Sequence, residues 1–207
     1  IMPSLVGSEM CIRDRHIICL KKNMALTPSK MFPLYTVAPE FNLLDVNLHQ
    51  ESSLQELRGE KGTLIVFMCN HCPFVIHLLS HFTKLALELK PKGISTIAIS
   101  SNDIDNYPMD NPDHMIELSK EYNFSFPYLY DPTQKIAKAY DAACTPDFYL
   151  FNDQNKLMYR GRYDTSRPQL GTPITGEDLR NAALNLVNKK PISENQFPSM
   201  GCNIKWK

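Results

Sequence analysis

Two cysteines separated by two residues lie where the sequence predicts a strand to end and a helix to begin. Cys69 follows the apolar run 64–68, and Cys72 is followed at once by Pro73 and a long helical pattern. A helix N-terminus carries unpaired N–H groups and roughly half a positive charge, and both stabilise a thiolate relative to a thiol. A dithiol held there can attack a disulfide and then close on itself. The motif therefore predicts thiol–disulfide exchange.

The order of the two cysteines predicts a role for each. The first cysteine of such a motif is the more exposed one, so we expect Cys69 to be the attacking thiol. We expect Cys72, placed one turn into the helix, to resolve the mixed disulfide. The alternative is a pair of buried structural thiols.

Length and charge limit the kind of protein that this sequence encodes. The chain has 207 residues, with 22 Lys and Arg against 22 Asp and Glu. The length fits one domain, and the charge balance gives no reason to expect nucleic acid or a membrane as a partner. No apolar stretch approaches the roughly 20 residues of a membrane span, and residues 17–20 are too few for the apolar core of a signal peptide. We therefore expect a cytoplasmic protein.

Residues 1–23 are expected to be a non-native or untranslated leader. Residues 10–15 resemble a translated sequencing adapter, and Met24 is the expected natural start. Without this segment, four of the six cysteines remain: Cys69, Cys72, Cys144 and Cys202. A close pair of cysteines without a signal sequence favours catalysis or metal binding over a structural disulfide.

Hydrophobic periodicity predicts alternating strands and helices. Extended or strand structure is expected over 38–46, 63–68, 94–100 and 126–130, with a hairpin of 147–151 and 157–160. Helices are expected over 53–57, 73–89, 111–122 and 131–140, with a last helix that Thr175 and Asp178 cap. This alternation predicts an α/β sandwich with a mixed sheet. Residues 191–207 carry little regular pattern.

The Cys-x-x-Cys motif and Thr145-Pro146 together resemble the thioredoxin fold, in which such a proline is cis and lies against the dithiol. The segments 67–74, 126–131, 144–148, 159–162 and 201–206 are similar to bacterial peroxiredoxin-like members of the thioredoxin family. These are redoxins related to alkyl hydroperoxide reductase and thiol-specific antioxidant. The resemblance implies a thioredoxin-like α/β sandwich of three layers, with helices flanking a mixed central sheet. It places the domain at residues 24–190 and a packed tail at 191–207.

The same resemblance implies the remaining site residues and partners. Substrates would be protein disulfides or small thiol compounds, and a cellular thiol reductant would reset the enzyme. The groove that binds them is expected to contain Thr145, Pro146, Asn70 and Pro73, with the backbone beside the cis-proline pairing with an extended peptide.

The two remaining cysteines are candidate accessory thiols. Cys202 either relays the Cys69–Cys72 disulfide or packs beside Trp206. Cys144 either lies near the dithiol or is a small buried hydrophobic residue.

Two departures from relatives bear on the reaction. Thioredoxin carries a buried acid on the strand before its motif, but residues 63–68 contain no Asp or Glu. Peroxiredoxins carry a Pro-x3-Thr/Ser-x2-Cys loop, and neither Cys69 nor Cys72 has those residues at that spacing. Disulfide exchange is therefore the preferred prediction. A thiol peroxidase that passes through a Cys69 sulfenic acid is the alternative.

His71 lies between the two cysteines, as in the Cys-x-His-Cys motifs of protein disulfide isomerase. A neighbouring imidazolium stabilises the thiolate and makes the couple more oxidising. We expect a reduction potential above the roughly −270 mV of thioredoxin. The alternative for His71 is an exposed residue without effect on the thiols.

A metal site is the main competing interpretation. His77 and His81 share one face of the predicted helix, and the cysteine pair offers two soft ligands. Because a second Cys-x-x-Cys is missing, we expect no metal and no cofactor beyond the dithiol. An acidic loop lacks the glycine and glutamate of a calcium loop and is interpreted as solvated; it contains Asp103, Asp105, Asp110 and Asp113. The alternative from another functional class is a metal-binding or non-catalytic interaction module.

Overall fold

The computed structural model describes residues 26–168 and 170–207. The predicted leader 1–23 and the predicted start at Met24 lie outside these residues. Over the part of the chain that is described, no helix is long and apolar enough to span a membrane.

A seven-stranded mixed sheet forms the centre of the fold. Its strands are β2 (Asn42–Asp45), β3 (Gln50–Ser53), β4 (Gly62–Phe67), β5 (Ile94–Ser100), β6 (Tyr128–Tyr130), β8 (Asp147–Asn152) and β9 (Leu157–Gly161). Their order across the sheet is β3-β2-β6-β5-β4-β8-β9. The pairs β4–β5 and β5–β6 are parallel, whereas β8 and β9 run antiparallel to their neighbours. The predicted α/β fold with a mixed sheet is confirmed.

Helices cover both faces of this sheet. They are α1 (Leu54–Leu57), α2 (Pro73–Leu89), α3 (Pro112–Glu121), α4 (Lys135–Ala139) and α5 (Glu177–Val187). Along β4, Leu64 and Val66 pack in one core cluster with α2, α3 and α5, while Ile65 and Phe67 pack in the other with α1 and α4. Because both faces of β4 are buried, its sequence is a continuous apolar run rather than an alternating one.

A second sheet of three short strands lies at the end of the fold that carries the cysteines. It consists of β1 (Leu26–Pro28), β7 (Cys144–Thr145) and β10 (Met200–Asn203), with β10 in the middle and antiparallel to both neighbours. The expectation of little regular structure in 191–207 is therefore wrong for β10. A four-residue strand with distant partners leaves no periodic signal in the sequence.

Two predicted helix starts are confirmed by their caps. Ser53 Oγ accepts the Glu56 N–H at 3.3 Å, and the Glu56 carboxylate accepts the Ser53 N–H at 2.8 Å, which is a complete capping box. Asn111 Oδ1 accepts the His114 N–H at 2.9 Å at the start of α3.

The predicted entry segment 38–46 contains strand β2, which pairs with β3 beyond it as a hairpin. Two local predictions are wrong. Helix α4 starts at Lys135 rather than Asp131, since the Asp131 carboxylate accepts the N–H groups of Ile136 and Ala137 from outside the helix. Helix α5 is capped by Gly176 in a left-handed conformation (φ 63°), not by Thr175.

Candidate active site

The dithiol loop connects the end of β4 to the start of α2. Cys72 is the N-cap residue of α2, and its carbonyl accepts the N–H groups of Val75 and Ile76, both at 3.0 Å. Cys72 therefore stands at the helix N-terminus and not one turn inside it, because Pro73 begins the helix. Cys69 lies in the loop before it. Both side chains are buried, with 1% and 0% of their surface exposed, so the expected greater exposure of Cys69 is absent.

A third thiol contacts this pair from the C-terminal strand. Cys202 Sγ lies 3.0 Å from Cys72 Sγ, and β10 holds Cys202 opposite Thr145 in the small sheet. All four described cysteines are thiols rather than disulfides. Cys72 is therefore the central member of a three-thiol cluster formed by Cys69, Cys72 and Cys202.

Thr145 contacts both thiols of the motif. Its hydroxyl oxygen lies 3.6 Å from Cys69 Sγ, and its carbonyl oxygen lies 3.1 Å from Cys72 Sγ. The Thr145–Pro146 peptide bond is cis. Both residues are buried; Thr145 pairs with Cys202 of β10, and Pro146 lines a cavity with Phe74, His77 and Tyr163. Their role in substrate binding stays a prediction.

The hydrogen bonds among the thiols set where negative charge is most stable. Burial works against a thiolate at Cys72, but hydrogen bonds with Cys202, Cys69 and Thr145 outweigh it, and the pKa of Cys72 lies well below its usual value. The hydrogen bond to Cys72 and burial raise the pKa of Cys69. Ionisation is therefore easier at Cys72 than at Cys69.

His71 is paired with a buried carboxylate that the sequence did not reveal. Its Nδ1 atom lies 2.8 Å from Asp110 Oδ2, and the imidazole stacks on the Tyr107 ring at 5.9 Å. Burial lowers the pKa of His71, but Asp110 and the nearby Cys72 outweigh this effect and raise it overall. The expectation that the acidic loop is solvated is wrong for Asp103 and Asp110, which are both buried; Asp110 also accepts a hydrogen bond from the Asn70 backbone.

Asn70 holds the dithiol loop in place through three hydrogen bonds. Its backbone N–H donates to Asp110 Oδ1 at 2.8 Å, and its side-chain amide donates to the Met109 carbonyl at 2.9 Å. The Tyr128 hydroxyl donates to Asn70 Oδ1 at 3.0 Å. These contacts engage the backbone N–H and the side-chain amide of Asn70 within the protein. Pro73 is the first residue of α2. The roles of Asn70 and Pro73 in a substrate groove stay predictions.

Cys144 lies beside the cluster but does not contact its sulfur atoms through any hydrogen bond found in the described residues. It is fully buried, its Sγ lies 3.8 Å from the Pro146 carbonyl, and burial raises its pKa. The structure thus gives Cys144 the surroundings of a buried packing residue.

A second buried carboxylate follows the cis-proline. Asp147 lies opposite Phe67 of β4, and it accepts a hydrogen bond from the Tyr149 hydroxyl at 3.0 Å. Burial raises its pKa to about 7. The sequence prediction considered an acid only on the strand before the motif and so did not include Asp147, although an Asp at the start of an apolar strand is a recognisable signal.

The arrangement also brings together three atoms that can ligate a metal. One ligand atom each from Cys69, His71 and Asp110 lies within 4.8 Å of the others. The histidines considered from the sequence are engaged elsewhere: His77 Nε2 is 3.3 Å from Ser166 Oγ, and His81 Nδ1 is 2.6 Å from the Tyr163 hydroxyl. A metal module would therefore use His71, not the pair on α2.

A thiol pair between a central strand and a helix, packed against a cis X–Pro segment, defines a thioredoxin-fold protein. The profile of the AhpC/TSA family matches residues 35–160, and the chain belongs to this family. The family is one of thiol-based redox enzymes, of the oxidoreductase or peroxidase kind. No curated protein matches the chain in sequence.

Solved structures agree with this assignment. An uncharacterized conserved protein from Geobacillus kaustophilus is 48% identical, with a TM-score of 0.88 over 90% of this chain and 98% of that one. A hypothetical protein from Sinorhizobium meliloti is 38% identical, with a TM-score of 0.85 over 87% and 98%. The thioredoxin domain of a thiol-disulfide oxidoreductase from Bacteroides vulgatus shares the fold at 18% identity, with a TM-score of 0.59 over 75% and 99%.

Proposed function

We propose that this protein is a thiol–disulfide oxidoreductase that works through a Cys69–Cys72 dithiol and disulfide. The observation that carries the proposal is the position of Cys72 at the N-terminus of α2, in hydrogen-bond contact with Cys69 and facing Thr145. A thiolate is stable there, and a second thiol is within reach to complete a two-electron exchange.

Cys69 makes the first attack in this mechanism, and Cys72 first serves as its base. Cys69 lies in the loop beside the half-buried Asn70 and His71, whereas Cys72 is enclosed by Cys69, Cys202 and Thr145. The Cys72 thiolate takes the Cys69 proton as Cys69 bonds to one sulfur of a substrate disulfide, and the other substrate sulfur leaves as a thiolate. That leaving thiolate then accepts the proton from Cys72. Cys72 attacks Cys69 Sγ, and the second half of the substrate departs.

The substrates in this proposal are protein or small-molecule disulfides. A cellular thiol reductant returns the enzyme disulfide to the dithiol, and no cofactor takes part. A cytoplasmic location, where such reductants are abundant, is part of the proposal.

Variants of Cys69, Cys72 and Cys144 test this function. We expect the wild type to catalyse reduction of hydroxyethyl disulfide by glutathione, and Cys69→Ser to lose about 100-fold or more of the rate. Cys72→Ser should trap a mixed disulfide on Cys69, visible as a mass increase of the intact protein. Cys144→Ser is the matched control, since its thiol is equally buried but is not part of the cluster, and it should retain activity. Full activity of a folded Cys69→Ser protein would reject the proposal.

Membership of the AhpC/TSA family favours thiol peroxidase activity as a second candidate. In that reaction Cys69 attacks a peroxide, becomes a sulfenic acid and is resolved by Cys72 with loss of water. Stopped-flow mixing of the reduced wild type with substoichiometric hydrogen peroxide, followed as the rate of peroxide loss, separates the candidates. Rapid peroxide loss with formation of the Cys69–Cys72 disulfide would place the peroxidase first, and slow loss together with fast disulfide exchange would exclude it.

A further inference from the structure

The C-terminal strand occupies the sheet edge beside the dithiol. Cys202 pairs with Thr145 and Asn203 with Cys144 in antiparallel register, and the Ile204 N–H continues the pairing by donating to the Ala143 carbonyl at 3.1 Å. An extended peptide that binds this edge would present its own thiol or disulfide to the motif. In this protein β10 takes that position and presents Cys202.

We infer that Cys202 is an internal exchange partner of Cys72, and that the oxidised enzyme rests as a Cys72–Cys202 disulfide with Cys69 returned to the thiol. The inference rests on the proposed function, since it adds a third step to the Cys69–Cys72 exchange. Cys202 is thereby assigned as a further catalytic residue, and Cys144 is not.

The distance between the two sulfur atoms supports this assignment. Cys72 Sγ and Cys202 Sγ are 3.0 Å apart, although 130 residues separate them in the chain. A disulfide bond of about 2.05 Å needs them to approach by only about 1 Å. Both side chains are buried, so external thiols reach this pair less readily than they reach a surface disulfide.

Backbone contacts hold Cys202 in place from both sides. A side chain at Gly201 would bring its Cβ within 2.0 Å of the Thr145 carbonyl oxygen, so only glycine allows β10 to lie this close. Beyond the strand, the Lys205 carbonyl accepts the Asp103 N–H at 2.8 Å, and the Lys205 N–H donates to Asn102 Oδ1 at 2.9 Å. A bulky peptide would have to break these bonds to reach β7, so the substrates that fit are those that reach Cys69 with β10 in place.

The third step is an exchange without net oxidation. After Cys69 and Cys72 have given two electrons to the substrate, the Cys202 thiolate attacks Cys72 Sγ. The Cys72–Cys202 bond forms, the Cys69–Cys72 bond breaks, and Cys69 leaves as a thiolate that takes the proton released by Cys202. A dithiol reductant later cleaves the Cys72–Cys202 bond and restores all three thiols.

The electrostatics of the cluster favour this order of events. In the reduced protein, the hydrogen bond to Cys72 and burial raise the pKa of Cys202. Once Cys72 is bonded to Cys69 it carries no negative charge, and the main cause of the raised pKa of Cys202 is removed. The positive charge of Lys205 opposes that rise in the reduced protein. Ionisation of Cys202 therefore becomes easier once the first disulfide has formed.

Disulfide mapping of oxidised protein tests the inference directly. Trypsin leaves Cys69 and Cys72 on one peptide and Cys202 on another, because no Lys or Arg separates the first two and several separate them from the third. We would equilibrate the protein in graded glutathione buffers, quench with acid, alkylate with maleimide and digest. The expected product is a cross-link between the two peptides, with Cys69 alkylated. Cys202→Ser should stop at the Cys69–Cys72 disulfide.

Gly201→Ala provides a variant that keeps every thiol. Its methyl group should push β10 from β7, so the cross-link should fall severalfold while the Cys69–Cys72 disulfide still forms; Cys144→Ser should behave as the wild type. A wild type that yields only the Cys69–Cys72 disulfide at every glutathione ratio would overturn the inference and leave the proposed function standing. Folded protein that forms no disulfide at any ratio would overturn both.

Discussion

The Nδ1 atom of His71 lies 2.8 Å from Oδ2 of Asp110, whose side chain is fully buried. This pair connects the dithiol loop to the turn that precedes α3. Because the Cys72 charge raises the pKa of His71, the imidazolium must stabilise the Cys72 thiolate by the same amount. Asp110 thus acts on Cys72 through His71, as a positioning residue, and its charge also raises the pKa of Cys69 directly.

Replacing His71 should make the dithiol a stronger reductant. His71→Gln removes the imidazolium that favours the reduced form, so we expect the reduction potential to fall by about 30 mV, equivalent to about 1.4 kcal/mol. Equilibration with glutathione measures this shift. His77→Gln, on the first turns of the same helix, is the control and should leave the potential unchanged. An equal shift in both variants would show that the effect does not come from the imidazolium.

The His71–Asp110 pair should make stability depend on pH with a defined sign. The pKa of His71 is raised in the folded protein, so the folded state binds the proton more tightly than the unfolded state. The stabilisation is fully present below about pH 6.5, the pKa of an unfolded histidine, and is lost as the pH rises through the raised value. In urea unfolding, the free energy of unfolding of the wild type should exceed that of His71→Gln by about 1 kcal/mol at low pH. A difference that stays constant with pH would contradict this prediction.

Asp147→Asn should stabilise the protein under alkaline conditions. Burial raises the pKa of Asp147 to about 7, so ionisation of this carboxyl weakens the folded state as the pH rises from its unfolded pKa through 7. The amide keeps an acceptor for the Tyr149 hydroxyl and cannot ionise. We expect Asp147→Asn to raise the free energy of unfolding by up to about 4 kcal/mol near pH 8 and by little near pH 4. Urea unfolding at both pH values measures this difference. Asp113→Asn, at an exposed position, is the control.

Thr145→Val should make the thiols less reactive near neutral pH. The Thr145 side chain lowers the pKa of both Cys69 and Cys72 through hydrogen bonding, and valine keeps the shape without the hydroxyl. A lost hydrogen bond of about 1 kcal/mol predicts about fivefold slower alkylation by iodoacetamide. Thr83→Val removes a buried hydroxyl in α2 and should leave the rate unchanged. Slower alkylation in both variants would indicate a general loss of packing rather than the loss of the Thr145 hydrogen bond.

The parts of the fold that the sequence predicts well are those with a long periodic signal. Helix α2 and strand β5 occupy their predicted ranges, Pro73–Leu89 and Ile94–Ser100. Seventeen helical residues and seven strand residues, three of them Ile, outweigh local ambiguity. The small sheet gave no such signal, because each of its strands has four residues or fewer and finds its partner far along the chain.

The site was predictable in its types of residue but not in its environment. The motif identified Cys69, His71 and Cys72 from spacing alone, since a strand-to-helix junction sets their place. The burial of Asp110 and Asp147 depends on chain segments that meet only in the folded protein. The contact of Cys202 with Cys72 has the same origin, so the sequence could offer it only as one of two alternatives.

Strand β10 is the last of the described strands to be synthesised. The central sheet and α2 precede it, and domains begin to fold from the N-terminal side while the chain is being made. The pairings of β10 with β1 and β7 close long stretches of chain, and such contacts form slowly. A nascent chain therefore carries Cys69 and Cys72 before Cys202 is available, and the three-thiol cluster forms only when β10 has docked.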